Sequence, residues 1–221
     1  WVFAVNSAIA WLAIGLDVVL TVGNVYSAIG AKAGDPGFSD PGGVTGVLSR
    51  TLDVLSYFTT WSVVLVGIAT AMLALRRESS WLPWLRVTSL VMITVTGVVQ
   101  ALLLAPVEDL VGWQRVADAL EHQVTPVVTL GVWLVCGPRG WFSSRAVLNS
   151  LLIPVLWIGY TLVRGAVTGV YPYDFINPDR YGYGDVLLTL VEILVFGVVV
   201  GLLLWGLDRV RVRIRMAPSQ R

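Results

Sequence analysis

Long apolar runs separated by short polar breaks dominate the chain. Six of them approach the roughly 20 residues that a bilayer core requires of a helix. They run over about Val2–Val25, Val54–Leu75, Leu85–Leu104, Val116–Val135, Val147–Val163 and Val186–Leu207. The runs are apolar on every face, where a barrel strand would alternate over about ten residues. The pattern therefore predicts an all-α polytopic membrane protein, a six-helix bundle forming one domain over residues 1–221. The fourth run is the least regular, because Arg115, Asp118, Glu121 and His122 occupy its first turns.

Composition sharpens this. Hydrophobic residues make up 56% of the 221 positions and charged residues 13%, with a mean hydropathy of +0.78. Soluble domains carry about 25% charged residues, so both a disordered chain and a water-soluble domain are disfavoured. The net charge of +1 gives no case for nucleic-acid binding. Cys136 is the only cysteine, which excludes an intrachain disulfide and a CxxC site, and His122 is the only histidine, which excludes an all-histidine metal site. No metal or cofactor is expected. Because the sequence opens on Trp1 rather than methionine, a trimmed start is expected. The first run is too long for a clean signal peptide.

With both termini placed in the cytoplasm, ten Lys and Arg residues fall inside and five outside. The positive-inside rule favours that orientation. The comb Arg209, Arg211, Arg213 and Arg215 then reads as an anchor just inside the last run. Trp81, Trp84, Trp113, Trp141 and Trp205 read as interfacial belt residues. The glycine-rich stretch 30–46 lacks the ending of a phosphate loop and reads as a flexible outer loop.

Charged and polar groups inside spans are costly and commonly mark a site. In this orientation Asp17, Thr59, His122, Arg164 and Glu192 lie at a similar depth in the outer part of five spans. Such a layer would build a pocket opening to the outer leaflet, or a structural ion cluster in which Asp17 and Glu192 pair with Arg164. A lone imidazole is the natural general base near neutral pH. A threonine beside it would be a nucleophile for acyl transfer.

Three stretches carry a family resemblance. Arg164-Gly-Ala-Val-Thr-Gly-Val-Tyr-Pro-Tyr-Asp-Phe-Ile-Asn-Pro, followed by Tyr181-Gly-Tyr183, resembles the loop between the last two spans of bacterial Pr6Pr membrane proteins. Those are similar to the eukaryotic androgen-induced gene 1 and ADTRP proteins. Ser56-Tyr-Phe-Thr-Thr-Trp-Ser62 resembles the segment opening the family's second span. Leu120-Glu-His-Gln-Val-Thr-Pro126 resembles the segment opening its fourth. The resemblance implies a multi-span hydrolase of fatty acid esters of hydroxy fatty acids, with a threonine nucleophile at Thr59 and a histidine at His122. Thr60 is the alternative if the alignment slips by one.

On this reading an acid among Asp17, Asp118 and Glu192 orients His122. Arg164, or Tyr171 or Tyr173 of the outer loop, binds a substrate carboxylate or the oxyanion. The partner is a lipid within the membrane, expected to be a bacterial plasma membrane. A non-catalytic lipid-binding or transport protein using the same pocket is the alternative function. A structural membrane subunit is the third.

Overall fold

The computed structural model describes residues 1–23, 43–106 and 110–216. Lys32, Asp35, Asp40, Glu108, Asp109 and Arg221 therefore lie outside the described residues, with most of the glycine-rich stretch. Among the described residues the chain is all-helical. The elements are α1 (Val2–Val22), α2 (Gly43–Val54), α3 (Phe58–Ala74) and α4 (Leu82–Val99), which runs on into a π-helical turn, Gln100–Leu104. Next come α5 (Trp113–Ala119), a second π turn (Leu120–Val124) and α6 (Thr125–Cys136). The chain ends with α7 (Ser144–Ser150), α8 (Leu152–Thr168), a 3-10 turn (Asp174–Ile176) and α9 (Pro178–Met216).

Five helical stretches are long and apolar enough to cross a membrane, and a sixth arises if the bent pair α2 and α3 counts as one span. The chain thus has the character of a multi-pass membrane protein. Its surface agrees. Leu12, Val127, Val163 and Leu203 are all more than half exposed. Many interior positions are instead small and polar, among them Asn6, Ser7, Ser62, Thr88, Ser89 and Thr129. Lipid supplies no hydrophobic drive between helices, so close approach of small residues and interhelical hydrogen bonds hold such a bundle together. Ser7 Oγ donates to the Gly67 carbonyl at 2.9 Å, joining α1 to α3. Thr129 Oγ1 donates to Asn6 Oδ1 at 3.1 Å, joining α6 to α1.

The helix ends follow local chemistry. Ser143 caps α7 by accepting from the Ala146 N–H at 3.1 Å. Gly169 ends α8 in the left-handed region at φ 73°, where a side chain would be strained. Gly182, at φ 78°, puts a kink in α9 after one turn. The arginine comb divides. Arg211 turns inward to the Trp133, Leu134 and Gly137 carbonyls at the end of α6 and to Asp208. Arg209 stacks on the Trp205 ring at 4.2 Å. Arg86, one of the ten Lys and Arg residues assigned to the inner side, is 1% exposed within α4 and so lies inside the bundle.

The second apolar run is not one straight helix. It breaks at Leu55–Tyr57, between α2 and α3, with a bend of 73°. Carbonyls freed by a break inside a membrane need partners, because no water is there to supply them. The Val54 carbonyl accepts from Thr60 Oγ1 at 2.8 Å, and the Leu55 carbonyl from Trp61 Nε1 at 2.8 Å. The Ser56 carbonyl accepts from Trp157 Nε1 on α8, also at 2.8 Å. The Thr-Thr-Trp sequence after the break is thus the local reason the chain can stop and restart a helix there.

Candidate active site

The restart at Tyr57, which is extended at ψ 133°, makes Phe58 and Thr59 the first residues of α3. The first N–H groups of a helix have no partner within it and carry its positive end. Here the Phe58 N–H donates to the Tyr173 hydroxyl at 3.1 Å. Below this turn Ser62 Oγ donates to the Phe58 carbonyl at 2.9 Å, and Thr96 Oγ1 of α4 donates to Ser62 Oγ at 2.9 Å. The turn that presents Thr59 is therefore tied both above and below.

Thr59 is 5% exposed, and its Oγ1 lies 2.9 Å from His122 Nε2. On the other side of the ring, His122 Nδ1 lies 2.7 Å from Asp118 Oδ1. That approach is at charge-pair distance but bent, and Nδ1 lacks a well-directed hydrogen bond. Gln100 Nε2 donates to the same Asp118 oxygen at 2.9 Å. With the imidazole proton on Nδ1, toward Asp118, Nε2 is free to accept the Thr59 proton. The four side chains form a line: Thr59, His122, Asp118, Gln100.

Both π turns serve this line. The first begins at Gln100 and the second contains His122. A π turn rotates the side chains that follow it, and such turns recur at functional sites. The second turn meets α4 where α4 lacks a side chain. A Cβ at Gly97 would lie 3.2 Å from both the His122 carbonyl oxygen and Pro126 Cβ.

The loop after α8 supplies the other wall. Arg164 pairs with Asp53 at the end of α2 and donates from Nη1 to the Val170 carbonyl at 3.3 Å. Tyr171 is buried, and its ring lies against Gly165. Tyr173 makes an edge contact with Tyr57 at 5.5 Å and stacks on Phe175 at 5.2 Å. Burial of its hydroxyl, partly offset by hydrogen bonds to Thr59 and Phe58, pushes the Tyr173 pKa up to about 12. The phenol therefore keeps its proton at any physiological pH. It accepts from the Phe58 N–H and retains that proton to donate.

Behind these groups lies a cleft enclosing about 680 Å³, counting the part open at its mouth. Binding clefts for small molecules are concave and mostly apolar, with a few polar groups that fix orientation. Thr59, His122 and Tyr173 line one end, and the rest is largely aliphatic and aromatic side chains of α4, α8 and α9. No family model, no curated protein and no solved structure matches this chain. Its chemistry is legible only in the geometry.

Of the five residues expected in one layer, Thr59 and His122 are in contact, and Thr60 is engaged elsewhere, at the Val54 carbonyl. Arg164 pairs with Asp53, a residue not singled out as its partner from sequence. Glu192 is exposed on α9 and does not line the cleft, because Leu190, Ile193, Leu194 and Gly197 occupy the face of α9 turned toward it. Asp17 is partly buried on α1, near Glu121, and does not line the cleft either. Tyr171 packs beneath the loop while Tyr173 reaches the cleft. Among the three acids considered for His122, Asp118 is the one in contact. Its four-residue spacing from His122 was the signal, since such pairs share a helix face. Gln100, Ser62, Thr96 and Trp157 carried no such signal.

Proposed function

We propose that this protein is an intramembrane lipid ester hydrolase. The single observation that carries the reading is Thr59 Oγ1 at 2.9 Å from His122 Nε2, at the polar end of an otherwise apolar cleft. Thr59 Oγ attacks the ester carbonyl as its proton passes to His122 Nε2. The tetrahedral oxyanion forms beside the first turn of α3, where the helix dipole and the Tyr173 hydroxyl stabilise it. Collapse breaks the ester C–O bond. The leaving alkoxide takes the proton from His122, and Thr59 holds the acyl group. Water then gives its proton to His122 and attacks the acyl carbonyl, releasing the acid and restoring Thr59. Asp118 holds the ring and balances the transient imidazolium, and Gln100 holds Asp118.

Fatty acid esters of hydroxy fatty acids, suggested by the resemblance of the Tyr-Pro-Tyr loop, are the first substrate class to try. In the same reading six spans cross a bacterial plasma membrane with both termini inside. The catalytic line then lies toward the outer leaflet. The apolar cleft equally suits a lipid carrier without turnover, and the two readings separate cleanly by mutation.

The test is ester hydrolysis by detergent-purified protein on a panel of acyl esters, with a serine- and threonine-reactive fluorophosphonate label in parallel. Wild type is expected to turn over and to label. Thr59→Ala and His122→Ala are expected to lose on the order of 10³-fold or more in kcat with the fold intact. Absence of both turnover and label in folded wild type would reject the hydrolase and leave the carrier.

A further inference from the structure

The cleft has a definite depth. Thr96 Oγ1 donates to Ser62 Oγ, so these residues are level on two antiparallel neighbours, and Thr59 is level with Val99. From that height the cleft follows α4 down to Val91, α8 from Ile158 to Leu151, and α9 from Leu190 to Gly197. These are steps of seven or eight residues, about 10–12 Å at 1.5 Å per residue. The floor is made by Val91, Met92, Leu151 and Gly197. A Cβ at Gly197 would meet Leu151 Cδ2 at 3.7 Å, an ordinary contact. The cleft reaches this depth because α9 carries only hydrogen at Gly197, where a larger side chain would project toward Leu151 and shorten it.

We infer that the cleft takes one unbranched acyl chain of about eight to ten carbons, measured from a carbonyl at Thr59, and that Gly197 sets this length. An extended chain advances about 1.25 Å per carbon, so a depth of about 10–12 Å holds about eight to ten carbons. Longer chains meet the floor and have to bend out through the mouth. The walls offer no polar partner below Thr96, which excludes a hydroxylated or charged chain end at depth. The turnover part of this inference rests on the hydrolase reading, while the binding part does not.

The experiment uses full-length protein in detergent with two readouts. One is kcat/KM on p-nitrophenyl esters from butanoyl to hexadecanoyl. The other is displacement of a fluorescent fatty acid by unlabelled saturated acids of the same lengths. Wild type is expected to peak near octanoyl to decanoyl in both. Gly197→Leu is expected to move the optimum at least two carbons shorter and to cost decanoyl tenfold or more, since each methylene displaced from apolar contact is worth about fourfold. Leu151→Ala is expected to move the optimum longer.

Gly197→Ala, which meets only an ordinary contact, serves if the leucine variant fails to fold, and is expected to shift the profile in the same direction by a smaller step. An unchanged length profile in folded Gly197→Leu and Leu151→Ala, in both readouts, overturns the inference. A shifted binding profile without turnover in wild type sustains it while rejecting the hydrolase. Turnover with a flat length profile rejects it while sustaining the hydrolase.

Discussion

Gly165 touches neither the cleft nor the catalytic line, yet a single methyl group there is expected to disable the site. A Cβ at position 165 would lie 2.0 Å from Tyr171 Cε1, 2.4 Å from Cδ1 and 2.5 Å from Cζ. Ordinary contact begins near 3.4 Å, so the ring has to withdraw by about 1.4 Å (3.4 − 2.0). It has little room to do so, packed in a cluster with Trp157, Ile176, Val186 and Leu190. The main chain yields instead, and Tyr173 is two residues further on. Its hydroxyl lies 3.1 Å from the Phe58 N; a shift of half an ångström outward takes that contact past hydrogen-bond range.

Overpacking of this kind costs about 1–3 kcal/mol of stability. Misplacing one oxyanion donor costs about 10²–10³-fold in kcat. Gly165→Ala is therefore expected to melt at a lower temperature but remain folded, and to lose about 10²-fold in kcat on a medium-chain ester. Adding Tyr171→Leu, which removes the ring, is expected to recover part of the lost stability, a non-additivity that a double-mutant cycle reads directly. The assay is steady-state hydrolysis with thermal unfolding of the same preparations. Gly165→Ala within twofold of wild-type kcat, at unchanged melting, would refute the chain of contact from Gly165 through Tyr171 to Tyr173.

Three further outcomes are expected. Thr60→Ala removes one of the two partners of the Val54 carbonyl, which keeps the Tyr57 N–H at 3.3 Å, so it is expected to lose about 0.5–1.5 kcal/mol of stability while keeping its fluorophosphonate label, unlike Thr59→Ala; loss of label in both would return the nucleophile to question. Tyr173→Phe is expected to lower kcat by about 10²–10³-fold with little change in KM. Because burial holds this phenol protonated up to about pH 12, wild type is expected to show no alkaline loss of activity from Tyr173 below that range, and a fall with a midpoint near pH 10 that Tyr173→Phe abolishes would contradict the raised pKa while leaving the donor role standing. Asp118→Asn is expected to lower kcat and shift its pH profile, with Gln100→Ala a milder copy of the same change; an unchanged pH profile in Asp118→Asn would remove the acid from the line.

What could be read from sequence alone is what depends on neighbours along the chain. The length and uniform apolarity of the runs around Val2–Val22, Leu82–Leu104 and Ser144–Thr168 marked helices able to cross a membrane, and the packed structure carries them. The polar entry to the fourth run marked Asp118, Glu121 and His122 as worth explaining. Runs that are apolar all round have no preferred face, however, so nothing local decides how each helix is rotated. Rotation is set by side chains meeting across helices. It puts Glu192 on the outside of α9, Gly197 on the inside, and Arg164 against Asp53 rather than against Asp17 or Glu192. The break at Leu55–Tyr57 was equally hidden. Hydropathy runs smoothly through it, and it persists because Thr60, Trp61 and a tryptophan 101 residues further on satisfy its carbonyls. Spans are properties of segments. The line from Thr59 to Gln100, two π turns and a missing side chain at Gly97 are properties of packing, and only the folded bundle brings them into one place.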